Sequence, residues 1–277
     1  MSDPLPPGLH IVATPIGNLG DLSPRAADTL RRADLILAED TRVTAKLLNH
    51  IGHKTPMRRF DDHSSDADRE HVLGLLATQA VALVSDAGTP LISDPGYKLV
   101  RAARAAGLAV HTVPGPSAVI AALTLTGLPT DRFLFLGFLP AKAGARAQTI
   151  DRYASVDATL VFYESGPRLG ASLAALAHGL GNRDAAVVRE ISKLHEECVT
   201  GTLAELAERY GESPPKGEIV IVVGPPEEAE PASDDALDDA LAEALARLSP
   251  SRAAAEVAGR LGVPRKRAYA RALALSQ

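Results

Sequence analysis

Three short stretches of this sequence hold the residue types that build a ligand cradle from main chain. They are "TPIGNLGD" at residues 14–21, "SDAGTPLISDPG" at 85–96 and "VPGPSA" at 113–118. Their prolines and glycines fix turns and let N–H and C=O groups approach a ligand closely, while serine and aspartate add an occasional polar side chain. Any one of them could simply reverse the chain. Three together point to a pocket for a neutral or zwitterionic, adenosine-bearing ligand rather than a polyphosphate. Other chemistries lack their residues: there is no "GxxxxGK[ST]", no "GxGxxG" after the first strand-like run and no zinc-type spacing of His and Cys. Ser85 and Ser117 lie in turns but not in a "GxSxG" frame, which argues against a hydrolase nucleophile. The metal-like cluster "DDHSSDAD", residues 61–68, reads better as a solvated loop or a substrate-facing lid.

These stretches need elements to hold them. Residues 9–15, 33–40, 80–86 and 108–115 are short, apolar and rich in β-branched side chains, each stopping at a turn signal, so they read as strands. Helical runs lie between them. Ser23 followed by Pro24 is a cap and first-turn pair opening one, and another runs from Gly96 to Gly107. The alternation predicts an α/β fold with a mainly parallel sheet, and ligands of such sheets bind beyond the carboxyl ends of the strands, where all three stretches fall. From Phe133 onward "FLFLGFLP", "ATLVFYES", "AAVVRE" and "GEIVIVVG" predict a second, mixed α/β domain, joined through a hinge at residues 125–132. The expected organisation is a first domain over 1–122, a second over 123–224 with a cleft between them, an acidic proline-rich linker at 225–236, and a helical element at 237–277.

That last element is to be a helix-turn-helix-like pair after a helix whose stripe is Leu237, Leu241, Leu245 and Leu248, with Ser233 as its cap. Although the chain carries a net charge of −5, residues from 249 onward hold six cations, Arg252, Arg260, Arg265, Lys266, Arg267 and Arg271, against the single acid Glu256. Such a cluster reads either as a solvated helix face or, more sharply, as a contact with a nucleic-acid backbone, where released counterions favour binding. The absence of Trp and an aromatic content of 4% argue against a broad stacking platform for single strands. With 46% apolar residues and one cysteine, Cys198, the chain reads as a soluble protein of a reducing compartment, cytoplasmic, whose thiol is buried. Residues 1–8 lack the blocks of a signal peptide, and no apolar run approaches the roughly 18 residues of a membrane helix.

The order of "ATPIGNLGDLSPRA", "AEDTRVTAKLL", "ALVSDAGTPLISDPGYKLVRAA", "VPGPSAVIAAL", "DRFLFLGFLP", "FYES", "REISKLHEE" and "KGEIVIVV" resembles the tetrapyrrole methylase superfamily, in particular its ribosomal RNA branch, over about residues 9–224. The resemblance implies two α/β domains of tetrapyrrole methylase type, S-adenosylmethionine (SAM) bound in the cleft between them, no metal, and a homodimer. It implies methyl transfer to the ribose 2′-hydroxyl of a cytidine in small-subunit ribosomal RNA, free or in the assembled small ribosomal subunit. A tetrapyrrole C-methyltransferase and a non-catalytic RNA-binding assembly factor are the alternatives. Carried onto this sequence, the donor-binding residues are Pro15 and Asn18 in the first stretch, Ser85, Asp86, Gly88, Thr89 and Ile92 in the second, and Pro114, Ser117 and Ala118 in the third. Phe162 and Tyr163 from the second domain would cover the donor.

In-line attack by a ribose hydroxyl on a sulfonium methyl destroys a positive charge and depends above all on holding the two reactants in line. A base within hydrogen-bond reach would help. "FDDHSS" and "REISK" fall on family motifs, which makes His63, Glu190 and Lys193 the catalytic candidates; Lys193 would need a depressed pKa to be a base, and would otherwise bind phosphate or the developing alkoxide. The sequence departs from the family at His63-Ser64-Ser65, where His-Asn-Glu is expected, and at Gly166-Pro167-Arg168, where Pro-His-Arg is usual.

Overall fold

A computed structural model describes residues 4–61, 64–226 and 233–276, and the chain divides into two compact units, the first ending at Pro226. The first unit opens with strands β1 (Gly8–Val12), β2 (Leu35–Ala38), β3 (Met57–Arg59), β4 (Ala80–Val84) and β5 (Val110–Val113). They form one sheet of order β3-β2-β4-β1-β5 in which every pair is parallel. A parallel sheet needs cover on both faces. Helices α1 (Pro24–Arg32) and α2 (Thr41–His50) cover one face and α3 (Asp66–Leu76) and α4 (Tyr97–Ala105) the other. β4 shows the consequence: all five residues of "AVALV" are buried, with Ala82 and Val84 in one core and Val81 and Leu83 in the other. Ser23 caps α1 as the sequence predicts, its hydroxyl accepting from the Ala26 N–H at 3.1 Å with Pro24 in the first turn.

Helix α5 (Ala118–Thr126) leaves this sheet and packs against the next one. It ends at Gly127, whose φ of +70° is left-handed, and the turn at 127–132 leads into the second sheet. The boundary expected between residues 122 and 123 therefore falls inside a continuous helix. The second sheet holds β6 (Phe133–Phe138), β7 (Thr159–Ser165), β8 (Asp184–Arg189), β9 (Glu197–Thr202) and β10 (Glu218–Val223) in the order β6-β7-β10-β8-β9. Only β6 and β7 are parallel, so the sheet is of mixed strand direction. One of its faces is covered by α6 (Ala143–Tyr153), α7 (Leu169–Leu180) and α8 (Leu203–Gly211), and the other by α5 through Val119, Ala122 and Leu123. Strands β3 and β9, each at a sheet edge, were not among the predicted strands.

The second unit consists of α9 (Asp234–Leu245), α10 (Pro250–Leu261) and α11 (Arg265–Leu275). Leu237 and Leu241 are fully buried, with Leu245 and Leu248 packed at the margin of the same core. Ser233 caps α9, accepting from the Ala236 N–H at 3.1 Å, and α9 begins inside the stretch read as linker. The α10–α11 turn is made at Gly262, where φ is +65°. Among the described residues, no helix is long and apolar enough to cross a membrane.

Candidate functional site

Strand order creates the site. β4, β1 and β5 are neighbours, so the three proline- and glycine-rich stretches leave the sheet side by side although residues 14 and 113 are far apart in sequence. Hydrogen bonds lace them together: the Thr14 N–H donates to the Gly88 carbonyl at 2.8 Å, the Gly88 N–H donates to the Thr14 carbonyl at 3.1 Å, and the Thr89 hydroxyl donates to the Pro116 carbonyl at 3.0 Å. The Asp86 carboxylate accepts from the Asp40 N–H at 3.0 Å, which ties in the loop after β2. Gly88 has a φ of +80°, and a Cβ there would stand 3.2 Å from Ile16, so the close approach of these loops depends on its bare backbone.

Between the two sheets of the first unit lies a cavity of about 440 Å³. The first sheet contributes Ile16, Glu39, residues 86–89 and 92–94, Ser117 and Ala118; the second contributes Phe138, Tyr163, Glu164, Ser165, Ile191 and residues 217–220. Four of these, Glu39, Asp86, Asp94 and Glu218, are acids on the cleft side, a fifth acid, Glu164, turns its buried carboxylate away toward Arg168, and none of the described lining residues is Lys or Arg. A low-dielectric cleft of one charge sign favours ligands of the other. With no Lys or Arg among the described lining residues, this lining suits a cation better than a polyphosphate. Its apolar surface comes from Ile92, Phe138, Tyr163 and Val220, with the rings of Phe138 and Tyr163 meeting edge to face at 5.6 Å. Burial, with the carboxylates of Asp94 and Glu218 adding to it, pushes the Tyr163 hydroxyl up to about 12, so it stays protonated and available as a donor. Glu164 is buried behind this wall, where it accepts from the Ser165 N–H at 2.8 Å and the Ser172 hydroxyl at 2.5 Å.

Two loops that meet at this cavity hold non-glycine residues in the left-handed region. Leu91 (φ 75°) and Ser93 (65°) belong to the loop after β4, and Glu190 (51°) and Ser192 (64°) to the loop after β8. Each such residue costs on the order of 1–3 kcal/mol and persists where its surroundings over-determine it. The strain brackets Ile92 and Ile191, both of which face the cavity.

Of the predicted donor residues, Asp86, Gly88, Thr89, Ile92, Ser117, Ala118 and Tyr163 line the cavity together. Pro15 and Ser85 line an adjoining hollow instead. Pro114 lines neither, and the Asn18 side chain is spent locally, accepting from the Gly20 N–H at 3.0 Å to cap a short 3-10 turn. Phe162 is a correction. It is 2% exposed in the core under α7, because adjacent residues of a strand point to opposite faces and Tyr163 takes the cleft side. Glu39, Asp94, Phe138, Glu164 and Glu218 escaped the sequence reading; the acidic end of "LILAED" and the glycine before Phe138 were the only local signals.

His63 lies outside the described residues. Lys193 and Glu190 form a network in which the Lys193 ammonium donates to Glu190 at 2.9 Å and to Glu218 at 3.0 Å, and Glu190 also accepts the Glu218 N–H at 3.0 Å. Burial alone would lower the pKa of Lys193, but these two carboxylates together outweigh it and raise it. A lysine paired in this way stays an ammonium ion, in place of the depressed pKa that a base would need. The Glu218 N–H, the Lys193 bond and the nearby positive charges hold the Glu190 carboxyl below its usual range, making it a weak proton acceptor that orients Lys193. In the helical unit, Arg267 pairs with Asp234 at 2.7 Å, Arg271 with Asp238, and Arg260 with Glu243 at 3.4 Å. Arg252, Arg265 and Lys266 are exposed, with no ion pair among the described residues.

Residues 8–207 match the sequence profile of the Tetrapyrrole (Corrin/Porphyrin) Methylases, and residues 231–276 that of the RsmI C-terminal HTH domain. A protein of Erythrobacter litoralis named ribosomal RNA small subunit methyltransferase I is 57% identical over 274 residues, covering 99% of this chain and 97% of that protein. One of the same name from Mesorhizobium japonicum is 47% identical over 277 residues, covering 98% and 93%. The uroporphyrin-III C-methyltransferase of Thermus thermophilus, solved in complex with S-adenyl homocysteine, shares the fold with a TM-score of 0.55 at 22% identity, over 78% of this chain and 97% of that one. Two lobes whose carboxyl-end loops enclose an anionic cavity, matched over most of the chain by one family, place this protein among the tetrapyrrole (corrin/porphyrin) methylases.

Proposed function

We propose that the chain transfers a methyl group from SAM to the ribose 2′-hydroxyl of a cytidine in small-subunit ribosomal RNA. The observation that carries this reading is the cavity floored by the loops after β1, β4 and β5, lined by the acidic residues Glu39, Asp86, Asp94 and Glu218 and by no described Lys or Arg. That lining fits a ligand with a sulfonium and an ammonium charge, while Ile92, Phe138 and Tyr163 offer apolar surface for an adenine. Asp86, Gly88, Thr89, Ile92, Ser117, Ala118 and Tyr163 are the residues we assign to the donor. When bound, SAM supplies a methyl carbon already activated by its sulfonium, so the reaction as proposed needs no metal.

In the transfer the ribose oxygen bonds the methyl carbon as the carbon–sulfur bond breaks, the hydroxyl proton leaves to water, and a positive charge disappears. The chain's contribution is position. The laced loops hold the donor side in place, and Lys193, fixed by Glu190 and Glu218, offers a positive charge to a phosphate or to the developing alkoxide. The relatives named as small-subunit methyltransferases support RNA as acceptor, and so do the exposed cations Arg252, Arg265 and Lys266. That acceptor sets the reaction in the cytoplasm. The family resemblance supports a homodimer, for which the half-exposed Ile120 and Leu125 of α5 supply apolar surface.

The test is incubation of the full chain with methyl-labelled SAM and either small-subunit RNA, free and assembled, or a tetrapyrrole precursor. Label in the 2′-O-methyl group of a cytidine is the expected result. Label in the tetrapyrrole alone, or retention of RNA without label, would overturn the proposal.

A further inference from the structure

Beside the donor cavity runs a second hollow of about 350 Å³, bounded by the turn after β1, the loop after β4 and α2 from Val43 to Leu47. The two share a wall, since Ile16, Asp86, Ala87 and Glu218 line both. Their chemistry differs. Pro15, Leu19, Val43 and Leu47 give the hollow an aliphatic wall, with Leu19 and Val43 44% and 37% exposed. Two ammonium groups, Lys46 and Lys193, line it, whereas no described Lys or Arg lines the donor cavity. Lys193 is already shared between two carboxylates; Lys46 has no ion-pair partner among the described residues.

A ligand for this hollow must therefore combine a flat, weakly polar body with a negative charge, and must present a reacting group at the wall shared with the donor. We infer that the hollow is the acceptor-nucleotide subsite, in which the target base lies on Leu19 and Val43, the phosphate beside it is held by Lys46, and the ribose faces Ile16 and Asp86. This assignment rests on the reading of the chain as an RNA methyltransferase. In the hollow, where Lys193 is shared between Glu190 and Glu218, Lys46 is the cation left to favour a phosphate, whereas the donor cavity has no described Lys or Arg in its lining.

The test uses the full chain with small-subunit RNA and three variants, Lys46→Ala, Lys46→Arg and Val43→Trp, all at exposed positions where folding is spared and is checked by thermal melting. Lys46→Ala is expected to raise the KM for RNA about tenfold, the scale of one charge-assisted hydrogen bond. It should also flatten the slope of log affinity against log salt by about 0.7, the share of one phosphate contact on a single strand. Lys46→Arg should restore most of the affinity, and Val43→Trp should abolish transfer by filling the hollow; donor affinity by calorimetry should stay within about twofold throughout. Unchanged RNA KM and salt slope in Lys46→Ala, together with full activity in Val43→Trp, overturn the subsite while leaving the methyltransferase reading intact. A parental protein that labels no RNA is a separate failure, of that reading, and takes the subsite down with it.

Discussion

Lys193 of the second sheet's lobe lies across the backbone of Gly17 in the first: a Cβ built on Gly17 would stand 2.5 Å from both Cγ and Cε of the lysine. Gly17 also has a φ of +149°, a conformation that other residues rarely adopt. Gly17→Ala should therefore push Lys193 away from Glu190 and Glu218 and strain the turn after β1, at a cost of about 1–2 kcal/mol. Steady-state kinetics should show kcat for RNA methylation down about tenfold, with donor affinity changed less than about twofold. A variant with parental kcat would mean that the position of Lys193 is irrelevant to transfer.

Neighbouring aromatics on β7 should respond oppositely. Phe162→Ala empties a core site and should cost about 3–5 kcal/mol in chemical denaturation, with little change in donor affinity of the folded fraction. Tyr163→Ala should do the reverse, weakening donor binding by calorimetry about tenfold while destabilising far less, since its ring is half-buried at the cavity wall. Equal losses of stability in the two variants would contradict the strand orientation.

The pH profile of stability should carry a histidine signature. His10, 4% exposed on β1, donates from Nε2 to the Pro6 carbonyl at 2.9 Å and stacks on His111 at 4.6 Å. Burial, more than the bond to Pro6 offsets, lowers its pKa from 6.5, and the neighbouring His111 lowers it further. The folded protein thus binds this proton more weakly than the unfolded chain. The contribution is complete above about 6.5 and is lost as pH falls below that through the depressed value. Melting temperature should drop between about pH 7.5 and about pH 5.5, and His10→Phe should lose part of that drop. An equally steep fall in the variant would exclude His10 as its source.

Cations of the helical unit should separate into two groups. Arg252, Arg265 and Lys266 are exposed and unpaired among the described residues, so replacing all three by Ala should weaken RNA binding, reduce the salt slope by about 2, and leave melting unchanged. Arg267→Ala and Arg271→Ala should instead loosen the unit, because their partners Asp234 and Asp238 keep carboxylates lowered in pKa by these arginines. Substitution is a cleaner probe than deleting residues 249–277, which would expose the Leu237 and Leu241 face of α9.

Much of the fold was legible because its buried elements announce themselves. β4 reads as "AVALV" since both of its faces are covered, and Ser23-Pro24 and Gly262 mark helix ends through capping and left-handed geometry. β3 and β9 were missed for the complementary reason. Each is an edge strand, "MRR" and "ECVTGT", with no residue that is fully buried and hence no apolar run to read.

The sequence by itself determined the α/β class, the three loops rich in proline and glycine, and the preference for a ligand without a polyphosphate, because turn chemistry and strand burial are local properties of residue type. Only the tertiary structure decided that those loops are neighbours, that Tyr163 and not Phe162 faces the cavity, and that Lys193 is held charged between Glu190 and Glu218. Strand order, side-chain direction and charge pairing join residues distant in the chain, and a one-residue change of register reverses what a strand presents, so none of the three is written in any single stretch.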